Sequence, residues 1–174
     1  FLITADADAV PGNIQCTVTM TAGTDEYPYQ EQETINLDLT LSQFGFPLDG
    51  IVVKSSPIVA DLDSDGAKEI YFGSDNEALH GYNSFGEEID GFPFQSTDRV
   101  RSSPAVGDVD NDGQMEIVFG NSSGKLYIVN HDGARQLAYT LLGFVESTPA
   151  LVDMDGDQDL EIFFTTTTTS GGHL

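Results

Sequence analysis

Three stretches of this chain align on one another residue by residue. They are "SSPIVADLDSDGAKEIYFG" from Ser55, "SSPAVGDVDNDGQMEIVFG" from Ser102 and "STPALVDMDGDQDLEIFFT" from Ser147. Their leading loop aspartates, Asp61, Asp108 and Asp153, stand 47 and then 45 residues apart. A period of that length over three copies restricts the chain to architectures that stack one supersecondary unit repeatedly. The likeness extends beyond the acidic loop. Gly45-Phe46-Pro47 recurs at Gly91-Phe92-Pro93, and "SSGKLYIVNHDG" from Ser122 has a looser counterpart in "NEALHGYNSFG" from Asn76.

Each unit reads as four short strands. A Pro-flanked segment such as "PIVADL" precedes the acidic loop and "EIYFG" follows it. Next comes "ALHGYN" or "KLYIVN", ending in a polar Gly turn, and a last segment leads into "GFPF". No window carries an apolar stripe at 3.6-residue spacing, so no helix is expected. Four strands in about 45 residues is the blade period of a β-propeller. The expected fold is therefore all-β: a partial β-propeller of four-stranded blades over residues 44–174, amounting to about two and two-thirds blades.

Six basic against 29 acidic side chains leave a formal charge of -23, which repels phosphate backbones and anionic lipid. Nucleic acid and membrane insertion are thus not expected. Thirteen of those acids lie in the loops 61–69, 108–116 and 153–161, so the excess is local and calls for a local counter-cation. The lone Cys16 excludes an internal disulfide and a Cys-based zinc site. No apolar run approaches the length of a membrane span, and "FLITADADAV" lacks the basic and long apolar regions of a signal peptide. Opening without Met in what reads as mid-strand, the chain is expected to be a piece of a longer product.

The loop spacing fits calcium, which takes six to eight hard oxygens. Ligands at loop positions 1, 3 and 5, a carbonyl at 7 and an acid at 9 are Asp61, Asp63, Asp65, Ala67 and Glu69 in the first copy. In the second they are Asp108, Asp110, Asp112, Gln114 and Glu116; in the third, Asp153, Asp155, Asp157, Asp159 and Glu161. Gly66 and Gly113 at position 6 permit a sharp turn, whereas the third loop has Gln158 there and Gly156 two residues earlier. An EF-hand needs a bidentate acid at position 12, but Phe72, Phe119 and Phe164 stand there. Magnesium prefers fewer protein ligands, and zinc or copper would want nitrogen or sulfur.

With Ser-Ser-Pro before the loop and Phe-Gly after the following strand, "DLDSDGAKEIYFG" and "DVDNDGQMEIVFG" resemble the FG-GAP (VCBS-type) repeats of integrin α-subunit propellers and their secreted bacterial relatives. The resemblance spans residues from near Phe44 to the end. It implies about three calcium ions held in blade hairpin loops, in an extracellular or cell-surface protein used for adhesion or scaffolding.

Residues 1–43 lie outside the repeat. Ile14, Cys16, Val18 and Met20 alternate with polar neighbours, as do Ile35, Leu37, Leu39 and Leu41, both marks of half-buried strands. They resemble the last strands of an immunoglobulin-like or fibronectin-type sandwich, with "VPGN" as a turn. Catalysis is not expected. His80, His131 and His173 fall at different phases of the repeat, and no nucleophile elbow, zinc-helix motif or phosphate loop occurs. Expected partners are an extracellular protein or glycan, or further copies of the chain. Tyr82, Phe92 and Tyr139 are candidate sugar-stacking aromatics, "NSS" at Asn121 fits a glycosylation acceptor, and the alternative parent is a secreted hydrolase or lyase with this region as accessory.

Overall fold

The computed structural model describes residues 12–24, 27–39, 45–168 and 171–173, with side chains described over 45–168. The chain divides into two compact units, Phe1–Gln43 and Phe44–Leu174. In the first, β1 (Gly12–Thr24) pairs antiparallel with β2 (Tyr27–Leu39), Ile14 opposite Leu37 and Cys16 opposite Ile35. The "VPGN" turn falls partly outside the described residues, as does any sandwich partner of this hairpin.

The second unit is built of antiparallel sheets, and no helix occurs among the described residues. Blade 1 comprises β3 (Ile58–Ala60), β4 (Glu69–Gly73), β5 (Ala78–Tyr82) and β6 (Phe94–Gln95), in that spatial order. Blade 2 repeats it with β7 (Ala105–Gly107), β8 (Glu116–Gly120), β9 (Lys125–Asn130) and β10 (Arg135–Thr140). The third copy forms a hairpin of β11 (Ala150–Val152) and β12 (Glu161–Phe163), and a second of β13 (Thr166–Thr168) and β14 (Gly171–His173). Gly171–His173 therefore pairs back on Thr166–Thr168 of the threonine run. These all-β, four-stranded blades are the fold expected from the repeat.

Successive strand residues point to opposite faces, and here both faces are covered. Ile117 and Phe119 of β8, with Tyr127 and Val129 of β9, join Leu62, Tyr71, Leu79 and Phe92 in a core shared with blade 1. Val118, Leu126 and Ile128, one residue out of phase, join Val145 in a second core, against which Leu151 and Ile162 of the third copy pack. Two-sided burial explains why "EIVFG" and "LYIV" read as continuous apolar runs rather than alternating ones.

The recurring small residues make the junctions. Ser55 Oγ donates to the Gly73 carbonyl (2.9 Å) and accepts from its amide (2.8 Å), and Ser147 does the same with Thr165. Between blades, Ser103 Oγ accepts from the Ser56 amide (2.8 Å), and Ser102 Oγ donates to the Ser147 carbonyl (2.7 Å). A Cβ on Gly73 would lie 2.4 Å from the Val100 carbonyl, and one on Gly120 would lie 2.2 Å from Val145 Cγ1. The Val100 amide donates to the Ser74 carbonyl and the Val145 amide to the Asn121 carbonyl, so the Phe-Gly ends of blades 1 and 2 receive the segment leading into the next copy. Gly91 similarly abuts Asp132 and Gly133 across the blade 1–blade 2 boundary.

Candidate metal centres

The structure gathers positions 1, 3 and 9 of each acidic loop. Asp61, Asp63 and Glu69 each bring one carboxylate oxygen within 4.8 Å of the others, as do Asp108, Asp110 and Glu116, and Asp153, Asp155 and Glu161. The loop backbone produces this convergence. At position 1, one carboxylate oxygen accepts from the amide at position 6: Asp61 from Gly66 (3.1 Å), Asp108 from Gly113 (3.0 Å) and Asp153 from Gln158 (3.2 Å). The glutamate at position 9, first residue of the following strand, accepts from the amide at position 2. Those amides are Leu62 at 3.4 Å, Val109 at 2.9 Å and Met154 at 2.7 Å.

The position-5 aspartates stand outside the three-residue clusters. Oδ1 of Asp65, Asp112 and Asp157 accepts from the amides of Ala67 (2.7 Å), Gln114 (2.8 Å) and Asp159 (3.1 Å), closing a side-chain turn. Those position-7 residues, whose carbonyls are the expected ligands, also supply their amides to the turn. A feature that the sequence reading missed is a second left-handed residue at position 4. Ser64 and Gly66 have φ of 60° and 92°, Asn111 and Gly113 55° and 90°, and Gly156 and Gln158 83° and 82°. The third loop keeps the same backbone shape and exchanges which of the two left-handed sites carries the glycine. Asn at position 4 was the available signal, because Asn tolerates this region better than most residues.

The residues fit a hard divalent cation. Every carboxylate in the clusters offers oxygen alone, and Asp61 Oδ1 is buried without a hydrogen-bond partner. Glu69 and Glu116 are buried, and burial pushes both carboxyl pKa values up, reinforced by Asp63, Asp65 and Asp61 around the first and Asp110, Asp112 and Asp108 around the second. Uncompensated charge is therefore costly at the closed end of each loop, and a cation would reverse the sign of that cost. In blade 2, Gln136 Nε2 of the outer strand also donates to Asp110 Oδ2 (2.5 Å), a link between residues 26 apart that no local pattern announces.

Residues 61–119 match the FG-GAP-like repeat family. The matched stretch opens on Asp61, contains the first two acidic loops and closes on Phe119, and it supports reading the chain as an FG-GAP repeat protein with a β-propeller-like segment. The third loop lies beyond it and carries the same cluster. No curated protein matches the chain.

Phe92 is 9% exposed and packs on Tyr71 with ring centroids 5.3 Å apart, so its expected availability to sugars is corrected: the turn-rich "GFP" segment points its ring into the core. Tyr82 is half-buried and stacked on Phe72, whereas Tyr139 is exposed. Asn121 is fully buried, its Nδ2 donating to Ser96 Oγ (2.9 Å) and Thr97 Oγ1 (3.1 Å), which withdraws it as a glycosylation acceptor.

Ser74, His80 and Glu88 form a line unannounced by any motif. His80 Nε2 lies 3.1 Å from Ser74 Oγ, and Nδ1 lies 3.1 Å from Glu88 Oε1. The order is that of a nucleophile, base and orienting acid. Ser74, however, is fully buried and its hydroxyl donates to the Ala78 carbonyl (3.0 Å). The same repeat position holds buried Asn121 and Thr166, so the line braces the turn between second and third strands. The side chain of His173 lies outside those described.

Proposed function

We propose that this is a calcium-stabilised FG-GAP propeller segment of a secreted or cell-surface protein, serving adhesion or scaffolding rather than catalysis. The observation that carries the reading is the threefold repetition of one carboxylate cluster in one backbone shape. In each loop the aspartates at positions 1 and 3 and the glutamate at position 9 hold the ion, with the position-5 carboxylate and position-7 carbonyl completing the shell. The calcium's contribution is to neutralise repelling carboxylates and tie the first two strands of a blade together, coupling binding to folding. Extracellular calcium is millimolar, enough to fill weak sites of the extracellular type, with Kd on the order of 10⁻⁴ to 10⁻³ M. That supports the compartment, as does the usual extracellular setting of FG-GAP repeats. Among the described residues no helix is long and apolar enough to cross a membrane.

Calorimetric titration of calcium into the metal-stripped protein, with thermal unfolding followed in parallel, tests this. One ion per acidic loop and a raised midpoint are expected, both lost in a variant carrying Asp63→Ala, Asp110→Ala and Asp155→Ala. An absence of saturable binding reduces the loops to acidic turns and removes the support for calcium and compartment together.

A further inference from the structure

We propose, resting on the calcium reading of the loops, that Gln136 is a positioning residue for the second of them. It holds the position-3 aspartate, Asp110, from the outer strand of blade 2 and so couples ion binding in that loop to β10.

The three loops anchor their position-3 aspartates differently. In the first, Asp63 Oδ1 accepts from the position-5 amide of Asp65 (3.2 Å), and in the third Asp155 Oδ1 accepts from that of Asp157 (3.3 Å). In the second, the Asp112 amide turns instead to Asp108 Oδ1 (3.0 Å). Asp110 Oδ2 accepts from Gln136 Nε2 (2.5 Å), so its anchor comes from another strand.

The backbone of β10 independently marks the same residue. Arg135 lies opposite Val129 and Leu137 opposite Ile128, so the register slips by one and Gln136 is the extra residue of a bulge. A bulge gives up ladder pairing and re-aims a side chain. Blade 1 shows what the position holds otherwise. The Asn83 amide closes its turn on the Glu87 carbonyl as the Asn130 amide does on Ala134, which makes Ile89 the counterpart of Gln136. Ile89 packs against the core shared by the two blades. The donor is therefore a feature of blade 2 and not of blade 1.

A carboxylate has acceptor capacity on both oxygens, so Asp110 can take the amide hydrogen bond and still present an oxygen to the cluster with Asp108 and Glu116. A neutral amide orients it without bringing a positive charge that would repel the ion. Hydrogen-bond partners of this kind fix metal-ligating carboxylates, and their loss costs about 10–100-fold in metal affinity. The coupling is reciprocal, so an ion in the loop should tighten β10, whose six residues are all exposed.

The test uses the full chain carrying Asp63→Ala and Asp155→Ala, which leaves the second loop as the intact one of the three. Calcium is titrated calorimetrically into this parent variant with and without Gln136→Met, a substitution that keeps the side-chain length and removes the donor. Gln136→Met should weaken binding about tenfold and leave the metal-free melting midpoint nearly unchanged, whereas loss of a merely structural residue would do the opposite. Amide hydrogen exchange over residues 137–140 should slow on adding calcium, and should no longer do so in Gln136→Met. The same exchange measurement in the otherwise unmodified chain decides the matter if the parent variant does not fold. In an Asp110→Ala background, Gln136→Met should leave binding to the other two loops unaltered. Equal affinity with and without Gln136 overturns the inference and leaves the calcium reading standing. Weakening of the other two loops in the Asp110→Ala background places the effect elsewhere and overturns it as well. No saturable binding by the folded parent variant removes calcium from the second loop, and this inference with it.

Discussion

Gly66 and Gly113 hold left-handed backbone in open space, since a Cβ at either would meet nothing within 4 Å. Gly66→Ala should therefore cost only the backbone term, about 1–2 kcal/mol, and Gly66→Asn less. Gln158 sits in the same region at φ 82°, so Gln158→Gly should stabilise the third loop by up to about 1 kcal/mol, less what the freer unfolded chain takes back. Urea unfolding of the metal-stripped variants measures both. Titration adds a second residue-scale expectation. Folding raises the carboxyl pKa values of Glu69 and Glu116 above their ordinary 4.5, so the native state binds these protons more tightly than the unfolded one. The associated stability is complete below that ordinary value and is lost as pH rises through the raised one. The metal-stripped protein should thus melt higher as pH falls from neutrality towards 4.5, a trend that Glu116→Gln flattens. Asp75, held low by its paired hydrogen bonds from Arg101, acts at lower pH: its stabilisation is lost as pH falls below its ordinary 3.8 through the depressed value. With calcium present the first trend should reverse, because protons then compete for the ligands. The ligand phase of the loops was legible because charge cannot be crowded so regularly without cause. The second left-handed position was not, because Ser64 discloses nothing about φ.

At the scale of the strand, the glycines closing β4 and β8 differ in kind from those in the loops. Gly120 is short of space rather than of a permitted φ, with Val145 occupying the volume a Cβ would need. Gly120→Ala should accordingly force blade 2 and the third copy apart locally, costing about 1–3 kcal/mol and exceeding the effect of Gly113→Ala. Comparative thermal unfolding at fixed calcium checks the order. The third copy has Thr165 at this position, so a neighbour could not approach it there as Val100 and Val145 approach the first two. Strand identities were legible from the aromatic and β-branched runs after each loop. The placement of Phe92 was not, because a short "GFP" segment carries no period from which a face could be read. The hairpin of the first unit shows a related limit. "YPYQEQET" has a polar, proline-containing sequence without alternation, yet it forms half of β2, with Tyr29 opposite Ala22 and Glu33 opposite Val18. Pairing with a regular partner set its conformation where local propensity did not.

For the second unit as a whole, blade 2 contributes to a core on either side of it, one shared with blade 1 and one with the third copy, so stability is a sum over neighbouring blades. Calcium binding at one loop should stabilise by about 2.7 kcal/mol at one hundred times its Kd. Differential scanning calorimetry over a calcium series should show the midpoint rising with the logarithm of concentration, and Asp110→Ala should remove one loop's share. The out-of-phase use of β8 and β9 also bears on how such repeats can change over time. In all three copies the glutamate follows the first aspartate by eight residues and the Phe-Gly or Phe-Thr end follows by eleven and twelve, while the distance from Gly73 to Val100 is 27 and that from Gly120 to Val145 is 25. Inserting one residue inside β8 would send Ile117 and Phe119 to the neighbour shaped for Val118 and exchange the contents of two cores at once. Length is thus fixed between the loop and the Phe-Gly end but differs between the outer connections, where 11 residues join β5 to β6 and only four join β9 to β10. Even the longer connection is anchored, since Gly91 abuts Asp132 of the next blade and Phe92 enters the shared core, so a change in length is tolerated only between such anchors.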